Sequence, residues 1–310
     1  SLDVLSVKDI DSQTFRSFWS KDQPILVKNV LHNMQGIWSP KYFTDTYGSD
    51  AVSVVDCETN HSSHTTVRDF FQDFKLGICD GNALKLKDWP PDTEFSTKFP
   101  QLYKVFIDAL PVPDFTRPDG VCNLMAHFPL NRVVLDLGPK MYNAYGTRQH
   151  SQSGTTRLHI DVTAAVNLML HARSAADGTS GSALWHIFPW STAQSICQLI
   201  RETLTDDKGG DPIHNQKTYL SPEMLSCLRA ENVIPWTIKQ HPGEAVFIPS
   251  GCPHQVCNLS NSIKVALDFL SLKDLHPTEH VAKELHKHRI EQDWGEDVLR
   301  LYDVLWYAWL

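Results

Sequence analysis

"RLHID", residues 157–161, decides how this chain is read. It lies in "TTRLHIDVTAAVNLMLHA" (155–172), an apolar run that reads as β-strand. Side chains alternate faces along a strand, so His159 and Asp161 share one side and Ile160 points away. Two metal-ligand types on one face are suggestive. In a chain with 15 histidines and 36 acidic residues, however, composition alone supplies such a triplet. The pair acquires meaning only if a third ligand is signalled elsewhere.

That signal is "GEAVFIPSGCPHQVCNL", residues 243–259. An apolar strand runs into a Pro/Gly turn, and His254 opens the next strand. A histidine fixed at a strand start in a β-rich region is a natural third ligand. Two histidines and one carboxylate with the remaining positions open form the facial triad of non-heme Fe(II) oxygenases.

Composition sets the frame. The chain has 310 residues, is 42% hydrophobic and 21% charged, and carries a formal charge of −8. These values describe an ordinary globular chain with enough length for a large core. The acidic balance argues against nucleic-acid binding through bulk charge. No apolar run approaches the roughly 18 residues of a membrane helix. The N-terminus lacks a secretory pattern, and its abrupt start is expected of a segment cut from a longer protein. Seven cysteines, an odd number without a CxxC pair, predict reduced thiols and no zinc site of that spacing.

Along the chain, residues 1–125 read as mixed. "DSQTFRSFWSK" (11–21) and "TTVRDFFQDFKLG" (65–77) predict short helices, "PILVKNVL" (24–31) and "SVVDC" (53–57) strands. From about 126 to 275 short strands dominate: "RVVLDL" (132–137), "KMYNAYG" (140–146), the run around 155–172, "ALWHIF" (183–188), "VIPWTIKQ" (233–240), "EAVFIPS" (244–250), "HQVCNL" (254–259) and "SIKVALDFL" (262–270). Such a series predicts a sandwich or barrel. A helical insertion is expected at about 190–230 and helices over 276–310. In the last of these, Val298, Leu301, Leu305 and Trp309 form an apolar stripe, expected to pack on the core or to form a homodimer contact.

Several ordered motifs together resemble the Jumonji C (JmjC) histone lysine demethylases, closest to the branch acting on lysine nine of histone H3. They are "LGPKMYNAYG" (137–146), "TTRLHIDVTAAVNLML" (155–170), "SALWHIF" (182–188), "DPIHNQKTYL" (211–220) and "GEAVFIPSGCPHQVCNLSNSIKVALDFL" (243–270). "FRSFWSKDQPILVKNVL" (15–31) resembles that branch more loosely. The resemblance implies a single JmjC catalytic domain over 1–310, mainly β with helices: a double-stranded β-helix of the jelly-roll or cupin type, with an N-terminal mixed region, the helical insertion and C-terminal helices. It implies Fe(II) held by His159, Asp161 and His254, with 2-oxoglutarate as cosubstrate and O₂ as oxidant. It further implies removal of N-methyl groups from lysine by hydroxylation and formaldehyde release. The partner would be a histone tail or another methyl-lysine protein in the nucleus, with neither sequence-specific nucleic-acid binding nor a membrane involved.

Many relatives carry a lysine for the distal carboxylate of 2-oxoglutarate at a position that is Ala183 here. Lys264 is the compensating candidate and Arg173 its rival, because a buried anion needs a cation. Asn167 and Thr156 match further cosubstrate positions. Asn143 and Tyr145 are candidates for the mouth of the site, and Trp185 and His186 are read as packing residues. Two other functions stay open: a protein hydroxylase of the same chemistry, and a non-catalytic chromatin scaffold. The intact set of three ligands speaks against the scaffold.

Overall fold

The computed structural model describes residues 2–31, 37–74, 83–87, 89–91, 93–129, 138–147, 154–204, 210–291 and 300–309. The strands within them are β1 (Asp3–Ser6), β2 (Ile25–Lys28), β3 (Ala51–Asp56), β4 (Ser62–Thr66), β5 (Leu84–Lys87), β6 (Lys140–Ala144), β7 (Thr156–His159), β8 (Ala164–Ala172), β9 (Ala183–Ile187), β10 (Trp236–Gln240), β11 (Ala245–Ile248), β12 (His254–Asn258) and β13 (Ser262–Phe269).

They form two sheets. The large one has the order β1-β2-β11-β8-β13-β6-β5-β3-β4, and the small one β10-β9-β12-β7. The eight strands from β6 onward are shared between the sheets, β6, β8, β11 and β13 against β7, β9, β10 and β12. This is the double-stranded β-helix, of the cupin-like kind the motifs implied. The N-terminal strands extend its large sheet at both edges.

Strand β8 shows why this sequence makes this layer. "AAVNLMLHA" is almost wholly apolar because both of its faces are covered. Ala165 and Met169 face Trp185, Ile187, Val246 and Val256 between the sheets. Val166, Leu168 and Leu170 face a second core, outside the sandwich. The helix Ser12–Trp19 supplies part of that core. Asp11 caps it by accepting from the Thr14 N–H at 2.7 Å. Its Phe15 meets Phe247 at 5.1 Å and its Trp19 meets Phe269 at 5.7 Å. The expected insertion consists of the helices Ala193–Thr203 and Pro222–Ala230, packed with Leu158 and Phe188.

Three strands, β1, β4 and β5, were not expected. β4, "SSHTT", has no apolar residue to reveal it, and is an edge strand held by its ladder to β3. The expected strand at 132–137 and Val298 lie outside the described residues. In the helix Leu301–Trp309 the buried row is Leu301 and Val304, against Met125 and Leu270. Leu305, half-buried, packs on the same cluster, so the expected stripe holds at Leu301 and Leu305 and is corrected at Trp309, which is 86% exposed. Among the described residues, no helix is long and apolar enough to cross a membrane.

Candidate active site

His159 ends β7 and His254 begins β12, two strands that pair in the small sheet. Each imidazole is oriented by its own backbone. His159 Nδ1 donates to the Arg157 carbonyl at 2.9 Å, and His254 Nδ1 donates to the Cys252 carbonyl at 3.0 Å. A carbonyl only accepts, so each Nδ1 carries a proton and Nε2 is the atom through which a neutral ring can bind a metal. Both Nε2 atoms point at Asp161, at 3.6 Å from Oδ1 for His159 and 3.5 Å from Oδ2 for His254.

The three ligand atoms lie within 4.8 Å of one another, the only such group among the described residues. Two ligands each about 2.1 Å from one ion can be at most about 4.2 Å apart, so both histidine–carboxylate separations fit a shared metal. The protonation states agree. Burial, reinforced by the neighbouring His159, brings His254 down to about 4 against the pull of Asp161, so the ring is neutral. Burial works to raise the Asp161 carboxyl, but His159, His254 and Lys140 together hold it below its ordinary value. Neutral imidazole and ionised carboxylate are the forms that bind a metal.

The cluster faces a cleft of about 570 Å³ whose walls include Lys85, Lys140, Tyr142, Arg157 and Gln216. Asn167 projects into it from β8. It is buried, its Oδ1 has no hydrogen-bond partner, and it stands in register with Val246 and Ala266. Thr156 lies half-buried in the opposite wall. Arg173 lies just beyond β8 and is not among the residues lining the cleft.

Lys264 is 3% exposed and reaches between the sheets from β13. Its Nζ donates to Asn258 Oδ1 at 2.7 Å and lies 5.4 Å from the centre of the Trp185 ring. Burial brings its ammonium down to about 7, with only Cys257 opposing. Its spacing of ten residues from His254 predicts this inward face for a regular strand, but a turn and a change of sheet intervene, so the spacing is not what places it. The alternation of β13 itself does so: Ile263, Val265, Leu267 and Phe269 fill the outer core, which turns Lys264, Ala266 and Asp268 inward.

Two expectations need adjustment. Tyr145 is not at the mouth: its hydroxyl donates to the Phe70 carbonyl at 2.6 Å, and its ring packs on Phe70 and Phe74. The strand β6 ends at Ala144, one residue earlier, so strand alternation does not fix the face of Tyr145. Asn143 does line the cleft, fully buried, with neither amide atom hydrogen-bonded. Trp185 packs between the sheets, as expected, but also touches the site, stacking on His254 at 6.1 Å. Its Nε1 donates to Gln240 Oε1 at 2.9 Å. His186 faces the other way, and burial, aided by Arg229, takes it down to about 4. Asn258 was overlooked, although the signal was available: His254, Val256 and Asn258 share one face of a strand by period 2.

Comparison with known proteins agrees with this geometry. The family model described as "JmjC domain, hydroxylase" matches residues 151–269. The chain is similar to Lysine-specific demethylase 3A of Homo sapiens, 33% identical over 95% of this chain and 26% of that protein. It is also similar to Lysine-specific demethylase 3 of Drosophila melanogaster, 32% identical over 95% of this chain and 40% of that protein. A third relative, Lysine-specific demethylase JMJ26 of Arabidopsis thaliana, is 31% identical over 99% of this chain and 43% of its own length. The chain thus spans less than half of the curated relatives it matches.

Proposed function

Since the chain belongs to the JmjC domain family, we propose that it is an Fe(II)- and 2-oxoglutarate-dependent oxygenase that demethylates N-methyl-lysine in histones. The observation that carries this reading is the cluster of His159, Asp161 and His254 on one side of an open cleft, with both Nε2 atoms turned to the carboxylate. The donor set suits Fe(II), and three protein ligands from one side leave positions for a cosubstrate and O₂. When bound, Fe(II) would let O₂ oxidise 2-oxoglutarate to succinate and CO₂ and an N-methyl group to N-hydroxymethyl, one oxygen atom going to each, and the N-hydroxymethyl group falls apart to formaldehyde and the amine.

The rest is the work of this chain's own residues. The backbone carbonyls of Arg157 and Cys252 hold the two imidazoles in the ligating tautomer. Lys264 pairs the distal carboxylate of 2-oxoglutarate, a role that a buried amine with one neutral partner is suited to once protonated. Asn167 and Thr156, which line the same cleft, add polar contacts to the cosubstrate. The cleft's open side admits a methyl-lysine side chain and places its methyl group near the metal.

The finer assignment to lysine nine of histone H3 rests on the motif resemblance, and the nucleus follows from a histone substrate. The relatives named as lysine demethylases support the demethylase reading. The description of the matching family as a hydroxylase favours a second one, hydroxylation of a protein side chain to a stable alcohol. Mass spectrometry of a methyl-lysine peptide array, incubated with Fe(II), ascorbate and 2-oxoglutarate, separates them. Demethylation removes the mass of one CH₂ per methyl group. A stable gain of one oxygen atom, with no loss of CH₂ from any peptide, would establish the hydroxylase instead.

A further inference from the structure

Lys264 enters the cleft from the large sheet, yet its ammonium ends at the small one. In the small sheet Asn258 of β12 is the register partner of Ala183 of β9. Both residues face inward: Ala183 is fully buried among the residues between the sheets, and Asn258 lines the cleft. A lysine or other long side chain at 183 would rise beside Asn258, where the Lys264 ammonium lies. The short alanine leaves that room, and Lys264 fills it from across the sandwich.

We infer that Asn258 is a positioning residue, which holds the Lys264 ammonium in the room left by Ala183 and aims it at the cosubstrate's distal carboxylate. The inference rests on the reading of Lys264 as the carboxylate anchor. Three observations carry it. The bond from Lys264 Nζ to Asn258 Oδ1, 2.7 Å long, is the hydrogen bond described for this ammonium. Asn258 is itself buried and its backbone is tied on both sides: its N–H donates to Thr155 Oγ1 at 3.1 Å, and its carbonyl accepts from the Thr147 N–H at 2.7 Å. The partner is also a neutral amide. It takes one of the three N–H groups and leaves the positive charge and two donors for a carboxylate. An aspartate there would hold the lysine equally well but cancel the charge that an anion needs.

The test measures 2-oxoglutarate binding by calorimetry on protein loaded with Mn(II), together with the affinity for Mn(II) itself. Lys264→Met serves as the control and should weaken 2-oxoglutarate by tenfold or more. Asn258→Asp should weaken it about tenfold with Mn(II) affinity unchanged, and Asn258→Leu should weaken it also. Ala183→Lys introduced into Lys264→Met should recover most of the lost affinity, because the ammonium returns to the same place from the other strand. If Lys264→Met weakens binding while Asn258→Asp and Asn258→Leu bind like the unaltered protein, the role of Asn258 is refuted and the anchor stands. A swap that recovers nothing overturns the shared place of positions 183 and 264. Normal binding by Lys264→Met would remove the anchor, and the inference with it.

Discussion

His159 and His254 are direct Cα partners across the antiparallel strands β7 and β12, and their rings lie 4.1 Å apart. The ladder that forms the small sheet is thus also what sets the spacing of the two imidazoles. The Gly251 N–H donates to the Asp161 carbonyl at 3.2 Å, tying the segment after His159 to the turn before His254. The three ligands come from two segments far apart in sequence, joined at this one point of the sheet.

Removing one ligand should empty the site without unfolding the chain. His254→Ala should lower Mn(II) affinity by at least about a hundredfold, more than loss of an outer hydrogen-bond partner does. Far-ultraviolet circular dichroism should be unchanged. Calorimetry reads the metal affinity, and a variant with undiminished affinity would exclude His254 as a ligand.

Lys264 links pH to both stability and binding. Its ammonium titrates at about 7 in the folded chain and near 10.5 when unfolded. Between those values the unfolded chain binds the extra proton, so stability rises with pH across that window. Below it both states are charged and the burial penalty is complete. Relative to Lys264→Met, the unaltered chain should gain on the order of 1 kcal/mol per pH unit from about pH 7 to about pH 9. Denaturant titrations at a series of pH values measure this, and parallel curves for the two proteins would contradict it.

Binding of 2-oxoglutarate should show the opposite trend. Above about pH 7 the lysine must take up a proton to pair the anion, so the dissociation constant should climb by up to about tenfold per pH unit. Calorimetry in buffers of different ionisation enthalpy should detect that proton uptake. Lys264→Met should show neither the climb nor the uptake.

Support for the site lies in the outer core. Phe247 is fully buried on β11 and meets Phe15, Trp19 and Phe269. Phe247→Ala should destabilise the fold by about 3–5 kcal/mol, through lost transfer energy and a cavity. Urea unfolding reads it, and a loss below about 1 kcal/mol would mean that the site collapses to fill the space.

Tyr145 supplies a contrast. Tyr145→Phe deletes the bond to the Phe70 carbonyl and leaves the cleft untouched. The expected outcome is a loss of about 1 kcal/mol in stability with 2-oxoglutarate turnover preserved. A turnover defect with normal stability would return Tyr145 to the mouth of the site.

The site was more legible in the sequence than the sheet around it. His159 and Asp161 are visible because period 2 places close neighbours on one face, and His254 because a Pro/Gly turn fixes a strand start. Lys264 was expected on the inward face by parity from His254 and lies there, but for another reason: the outer core claims the opposite face of β13. Asn258 needed only the same alternation from His254, yet its meaning appears only once β13 crosses to it from the other sheet. The edge strand β4 was invisible because backbone pairing, not an apolar pattern, holds it. The C-terminal helix shows the limit of a short stripe: Leu301 and Leu305 do pack on the cluster of Met125 and Leu270, but Val304 is buried with them and Trp309 faces solvent.

The most direct test of the central claim is the stoichiometry of products from a dimethyl-lysine histone peptide with Fe(II) and 2-oxoglutarate. Formaldehyde and succinate should appear in equal amounts and depend on both additions, and His254→Ala should produce neither. Succinate formed with an oxygen-bearing peptide and no formaldehyde, or no consumption of 2-oxoglutarate by the Fe(II)-loaded protein, would contradict it.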